Sequence, residues 1–111
     1  MRFSVTGRHI EITDAMRQYV EGKATRLTRF YDRIESIEVV IAKQGVQNCV
    51  EIVVSADHKH TFVGQVDAGD YYEAIDLVMD KIEGQIRKHK EKVRNRKHRP
   101  GHSAKDETAG D

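Results

Sequence analysis

Tryptophan is absent from this chain, and cysteine and proline occur once each among its 111 residues. A lone Cys49 excludes an internal disulfide framework and leaves no second thiolate for a metal cage. No stretch approaches the roughly 20 consecutive apolar residues of a membrane span. Met1 leads straight into Arg2-Phe3-Ser4-Val5 with no apolar signal region, so the expected location is cytoplasmic. No glycine-rich phosphate loop, nucleophile elbow or acid–base pair is recognisable; Glu35, Glu38 and Glu51 fit solvent-facing strand positions. Cys49 stands at a strand start without an identifiable base and reads as inert. Of the six histidines, His58 and His60 lie two apart and His98 and His102 four apart, but neither pair has a clear set of further ligands. The expectation is a protein that is no enzyme and carries no cofactor, no metal and no small-molecule substrate.

Charge is abundant, at 33% of residues, yet nearly balanced at +1 overall. Its distribution is more telling. Residues 1–14 sum to zero, 15–33 to +3, 34–80 to −7, 81–99 to +7 and 100–111 to −2. A chain with a block this basic has a polarised surface that favours an anionic partner on one side.

Periodicity supplies the elements. Arg2 to Thr6 alternates as a first strand that Gly7 closes. Thr13 is a candidate N-cap for a helix over about 14–31, where Met16, Val20, Ala24, Leu27 and Tyr31, with Phe30 beside them, form one apolar stripe. Alternation then marks strands at 34–43, at Val50 to Ala56 and at Thr61 to Asp67, the last an antiparallel return with Phe62 and Val66 as its core residues. Asp70 is placed to cap a second helix over about 71–96, with Ile75, Val78, Met79, Ile82, Ile86 and Val93 on one face. Pro100-Gly101 ends any helix, and the polar residues at 99–111 read as a flexible tail. The order β-α-β-β-β-α, with one apolar stripe per helix, predicts a two-layer α+β sandwich. It has a four-stranded sheet and both helices on one face.

On a helical wheel Arg87, Lys90, Arg94 and Lys97 lie along one flank of the second helix's apolar stripe, and Lys81, Lys88 and Lys92 along the other. Arg26, Arg29 and Arg33 form a similar row on the first helix, with Lys23 near the stripe's edge. Packed side by side, the two helices would combine these flanks into a broad positive surface. A few cations beside an apolar stripe are ordinary solvated residues, but nine in nineteen positions repel one another unless an anion offsets them. A membrane surface would need free apolar side chains on the face the core requires. Single-strand binding by stacking would need exposed aromatics on the sheet. Tyr71 and Tyr72 read as a helix-start packing pair. Structured RNA, read through phosphates and shape, fits best.

Val5-Thr6-Gly7, Glu11-Ile12-Thr13, Tyr31-Asp32-Arg33-Ile34, Asp70-Tyr71-Tyr72-Glu73-Ala74-Ile75-Asp76 and Lys88-His89-Lys90-Glu91-Lys92 resemble the ribosome hibernation promoting factor and ribosome-associated inhibitor family. The likeness covers about residues 1–98. It implies a fold similar to double-stranded-RNA-binding domains, and a factor that silences ribosomes under stress or in stationary phase. Such a factor sits on the small ribosomal subunit near the decoding centre, blocking mRNA and tRNA. The implied partners are that subunit, its rRNA and the 70S ribosome, with no membrane and a monomeric state off the ribosome. By this resemblance 1–98 is a ribosome-binding domain. Lys23, Arg26, Lys88, Lys90 and Lys92 match the family's basic positions and are the expected RNA contacts, to which the wheel adds Arg29, Lys81, Arg87 and Arg94. The chain resembles the short form, without the C-terminal dimerisation domain of long members. Its role as a partner in ribosome pairing or as a factor holding single ribosomes inactive stays open. An alternative of another class is a protein-binding modulator of a transcription factor, of the sigma-54 modulation type, acting through the acidic segment 34–80.

Overall fold

The computed structural model describes residues 1–98, of which the side chains of His58 and of residues 94–98 are not described. The elements follow the expected order: β1 (Arg2–Arg8), α1 (Asp14–Phe30), β2 (Ile34–Gln44), β3 (Gln47–Ala56), β4 (His60–Ala68) and α2 (Tyr71–His98). The strands form one sheet in the order β1-β2-β3-β4. β1 runs parallel to β2, as a crossover through α1 requires, and the other pairs are antiparallel. The expected tail at 99–111 lies outside the described residues.

Local chemistry sets the boundaries. Thr13 caps α1, its Oγ1 accepting from the Met16 N–H at 3.1 Å. Asp70 does the same for α2, its Oδ1 accepting from Tyr72 N–H at 3.2 Å. The β2–β3 hairpin closes through Gly45-Val46, and the positive φ of Gly45 (63°) is what glycine makes inexpensive there. Asp57–Lys59, between β3 and β4, forms one 3₁₀ turn tied to the α1–β2 connection: Arg33 Nη1 lies 2.9 Å from Asp57 Oδ2, and Asp57 N–H donates to the Arg33 carbonyl at 3.1 Å.

Both helices press on one sheet face. Val20, Met16, Ile37, Ile41, Ile52, Val54, Ile75, Ile82 and Ile86 are buried in a single core. Gly64 lets α2 settle onto β4, because a Cβ there would stand 3.2 Å from Val78 Cγ2 and 3.4 Å from Ile82 Cδ1.

Phe62 is buried and Val66, half-buried, packs against the same core, as expected. Two expectations need correction. Gly7 does not close β1, which continues to Arg8. Glycine is instead required inside it, since a Cβ there would collide with the Ile10 carbonyl as the chain folds back. Val93, placed on the apolar face by periodicity, is 45% exposed. The helix has run past the sheet by then, and a repeat in sequence buries nothing where no layer lies beneath.

Candidate nucleic-acid interface

The cations of the helix layer fall into two groups on opposite sides of α2. Along the seam with α1, Lys23 Nζ is 3.2 Å from Asp76 Oδ1. Glu83 draws in Arg87 at 3.5 Å and Arg26 at 4.0 Å. Lys23, Arg26, Asp76, Asp80 and Glu83 line a small cleft of about 190 Å³ between the helices. The seam is therefore acid-and-base in its first half rather than the uniformly positive surface expected. Tyr19 strengthens this half by donating its hydroxyl to Asp76 Oδ1 at 2.5 Å. That hydrogen bond, helped by burial, pushes the Tyr19 phenol up to about 12. The same bond, with Lys23 beside it, holds the Asp76 carboxyl below its ordinary value although partial burial opposes it.

Further along the seam the acids end and the cations take over. Lys90 Nζ sits 4.4 Å above the centroid of the Phe30 ring and donates to the Phe30 carbonyl at 3.1 Å. Arg87 approaches the same ring at 5.5 Å. Phe30 thus aims two cations at once, while Arg29 stands exposed in the last turn of α1.

Lys81 and Lys88 face the other way, toward β4, where they help line a groove of about 600 Å³. Lys92 is exposed further along the helix. Arg94 and Lys97 belong to α2, but their side chains, like the His98–His102 pair, lie outside the described residues.

Sequence reasoning missed the corner beside this cationic half. His60 stacks on His89 with ring centroids 4.1 Å apart, and Phe62 and Tyr31 meet His89 edge-on at 5.6 and 6.1 Å. These residues come from β4, from α2 and from the residue that follows α1, so no spacing in the chain could bring them together. The Glu83–Arg87 pair, by contrast, has the i,i+4 spacing of a helix pair. Tyr71 and Tyr72 pack at 4.6 Å, and Tyr72 meets Tyr19 edge-on at 4.8 Å, which supports the packing role. The Cys49 thiol is pushed up by burial and accepts from Gln65 Nε2 at 3.1 Å. Among the described residues no group of three or more His, Cys, Asp or Glu is placed to hold a metal ion. None of the described helices is long and apolar enough to cross a membrane.

Residues 3–94 match the family described as sigma 54 modulation protein / S30EA ribosomal protein. The chain belongs to this family. Within it, the chain is 37% identical over 92 residues to a ribosome hibernation promoting factor of Azotobacter vinelandii, covering 83% of this chain and 85% of the relative. With the factor of the same name in Escherichia coli it shares 33% over 98 residues, covering 85% and 98%. Among solved structures, a ribosomal subunit interface protein from Coxiella burnetii superposes with a TM-score of 0.76 at 29% identity, over 81% of this chain and 98% of that one. The N-terminal domain of Protein Y from Thermus thermophilus gives 0.71 at 36% identity, over 78% and 96%. The family assignment therefore rests on sequence and fold together, and it accounts for the motifs at both ends of the domain.

Proposed function

We propose that this protein is a ribosome hibernation factor of the cytoplasm that binds the small ribosomal subunit near its decoding centre and keeps mRNA and tRNA out. The observation that carries the reading is the helix layer's far end, where Arg29, Arg87, Lys88, Lys90 and Lys92 gather beyond the core with Glu91 as the one acid between Glu83 and His98. The names of the relatives supply the partner: hibernation factors and subunit interface proteins act on ribosomes.

The mechanism needs no catalysis. Residues 1–98 act as a rigid wedge whose Lys and Arg neutralise rRNA phosphates, and inhibition is competition for occupied space. Lys23 and Arg26, tied to Asp76 and Glu83, orient the helices more than they contact RNA. Arg29, Lys81, Lys88, Lys90, Lys92 and Arg94 carry the contacts, and Arg87 moves between Glu83 and a phosphate.

Co-sedimentation with purified small subunits tests the proposal. With about five phosphate contacts, each contributing a slope of roughly 0.7 to 0.9, affinity should fall on the order of 100-fold between about 50 and 200 mM salt. A flat salt response, or no co-sedimentation, rejects it. The sigma-54 modulation in the family's description keeps a protein-binding reading in play, for which the exposed Glu35 and Glu38 and half-buried Glu51 offer a surface. Under that reading the protein would leave ribosomes untouched.

A further inference from the structure

β4 is an edge strand, and α2 treats that edge unusually. Gln85 Nε2 donates to the Val63 carbonyl at 2.9 Å, and Lys81 Nζ donates to the Gln65 carbonyl at 3.3 Å. Two side chains of the helix thus occupy two of the edge acceptors that a further β-strand would use. In an extended strand the N–H and C=O of one residue point to the same side, so Val63 and Gln65 turn their N–H groups toward the same groove. The edge has been converted into one that offers donors.

The rest of the groove agrees with that polarity. Lys81 and Lys88 stand two helical turns apart, about 10.5 Å along the axis, on the same side of α2. Between them is Gly84, where an added Cβ would meet nothing within 4 Å. Glycine is the poorest helix former after proline, and no close packing contact requires it here, so its effect is to leave the groove open. Val63 borders the groove through its backbone, its 50% exposed side chain lying on the sheet face away from the helices, since its neighbour Gly64 faces Val78 and Ile82. Gln85, with one amide hydrogen engaged, keeps its second amide hydrogen and its carbonyl oxygen for a ligand. Asp80 adds one acceptor at the rim.

We infer that the groove between the free edge of β4 and the outer flank of α2 is a subsite for one extended strand of single-stranded RNA. Phosphates meet Lys81, Lys88 and the edge N–H groups. A ribose or base lies over Gly84, within reach of Gln85. A peptide strand would find the two central acceptors of the edge, the Val63 and Gln65 carbonyls, already engaged. Bare polyanions would gain nothing from Asp80, whereas a base amine or ribose hydroxyl can donate to it. The inference deepens the RNA-binding reading above and rests on it for the class of ligand.

The test measures fluorescence anisotropy of a short labelled oligouridylate titrated with the full chain, at constant salt. Gly84→Ala and Gly84→Leu both replace glycine with better helix formers, so thermal unfolding should show midpoints no lower than that of the parent. Gly84→Ala should bind within about two-fold of the parent, and Gly84→Leu, whose side chain projects into the middle of the groove, should bind at least about ten-fold more weakly, a loss near 1.4 kcal/mol. Binding by Gly84→Leu at the parent's affinity overturns the inference. So does displacement of the labelled strand by polyglutamate or by a blunt RNA duplex as readily as by unlabelled oligouridylate. Co-sedimentation of the parent with small subunits is read separately. If the parent pellets with subunits but ignores oligouridylate, the groove inference falls alone. If it binds oligouridylate but never pellets, the ribosome proposal falls.

Discussion

The two halves of α2 share one backbone helix and almost nothing else. From 71 to 86 the helix buries Ala74, Ile75, Val78, Met79, Ile82 and Ile86 against the sheet and α1, and its acids Asp76 and Glu83 hold cations of the neighbouring helix. From 87 to 93 no residue is buried. That half is held by its continuity with the first, by cations that suit the negative end of the helix dipole, and by Lys90 resting on Phe30. The difference teaches that apolar packing and exposed positive charge are segregated along one element. Hydrophobic packing anchors the first half, while the second meets the core through His89, against Phe62 and Tyr31, so that most other positions there can carry charge.

Substitutions can break that comparison from either side. The largest effect belongs to the packed half: Ile82→Ala removes a fully buried side chain facing Gly64 and should cost about 2–5 kcal/mol in denaturant unfolding. Its remaining folded fraction should bind small subunits with unchanged affinity. Lys88, Lys90 and Lys92 changed together to Glu should do the reverse. Glutamate keeps helix propensity, so the melting temperature should move by only a few degrees, while subunit association falls on the order of 100-fold and inhibition of translation in vitro collapses. A triple variant that melts early would show that the two halves are not separable.

Smaller changes sharpen the boundary. Phe30→Leu keeps apolar bulk but loses the ring beneath Lys90 and Arg87. At about 0.5–1 kcal/mol per exposed cation–π contact, subunit affinity should drop about two- to five-fold, with melting nearly unchanged. The smallest effect lies in the packed half. The Tyr19 phenol is raised by its bond to Asp76, so the stability it contributes is present below pH 10 and is lost as pH rises from 10 toward about 12. Tyr19→Phe should abolish that alkaline phase of unfolding, and tyrosinate absorbance should lose its latest-titrating component.

Much of the fold was legible because the apolar residues repeat with the right periods. Met16, Val20, Ala24 and Leu27 mark a helix, and Ile37, Val39 and Ile41 a strand; both sets are buried as their spacing implied. The same reasoning overreached at Val93, because period says which way a side chain points and not how far the sheet extends beneath it. In the candidate interface the wheel separated the two flanks of α2 correctly: Arg87 and Lys90 face α1, and Lys81 and Lys88 face β4. It could not reveal that Asp76 and Glu83 neutralise Lys23 and Arg26, since those partners lie on another helix more than fifty residues away. Nor could it place His60 upon His89, a contact that depends on how β4 begins.

The two hydrogen bonds from Gln85 and Lys81 also bear on how this protein behaves in a crowded solution. An uncovered sheet edge invites a second copy to add its own strand, and such pairing propagates into aggregates. With the Val63 and Gln65 carbonyls already engaged, a neighbouring copy meets an edge that has lost two acceptors at its centre and carries Lys81 beside it. That arrangement disfavours pairing between the β4 edges of two copies.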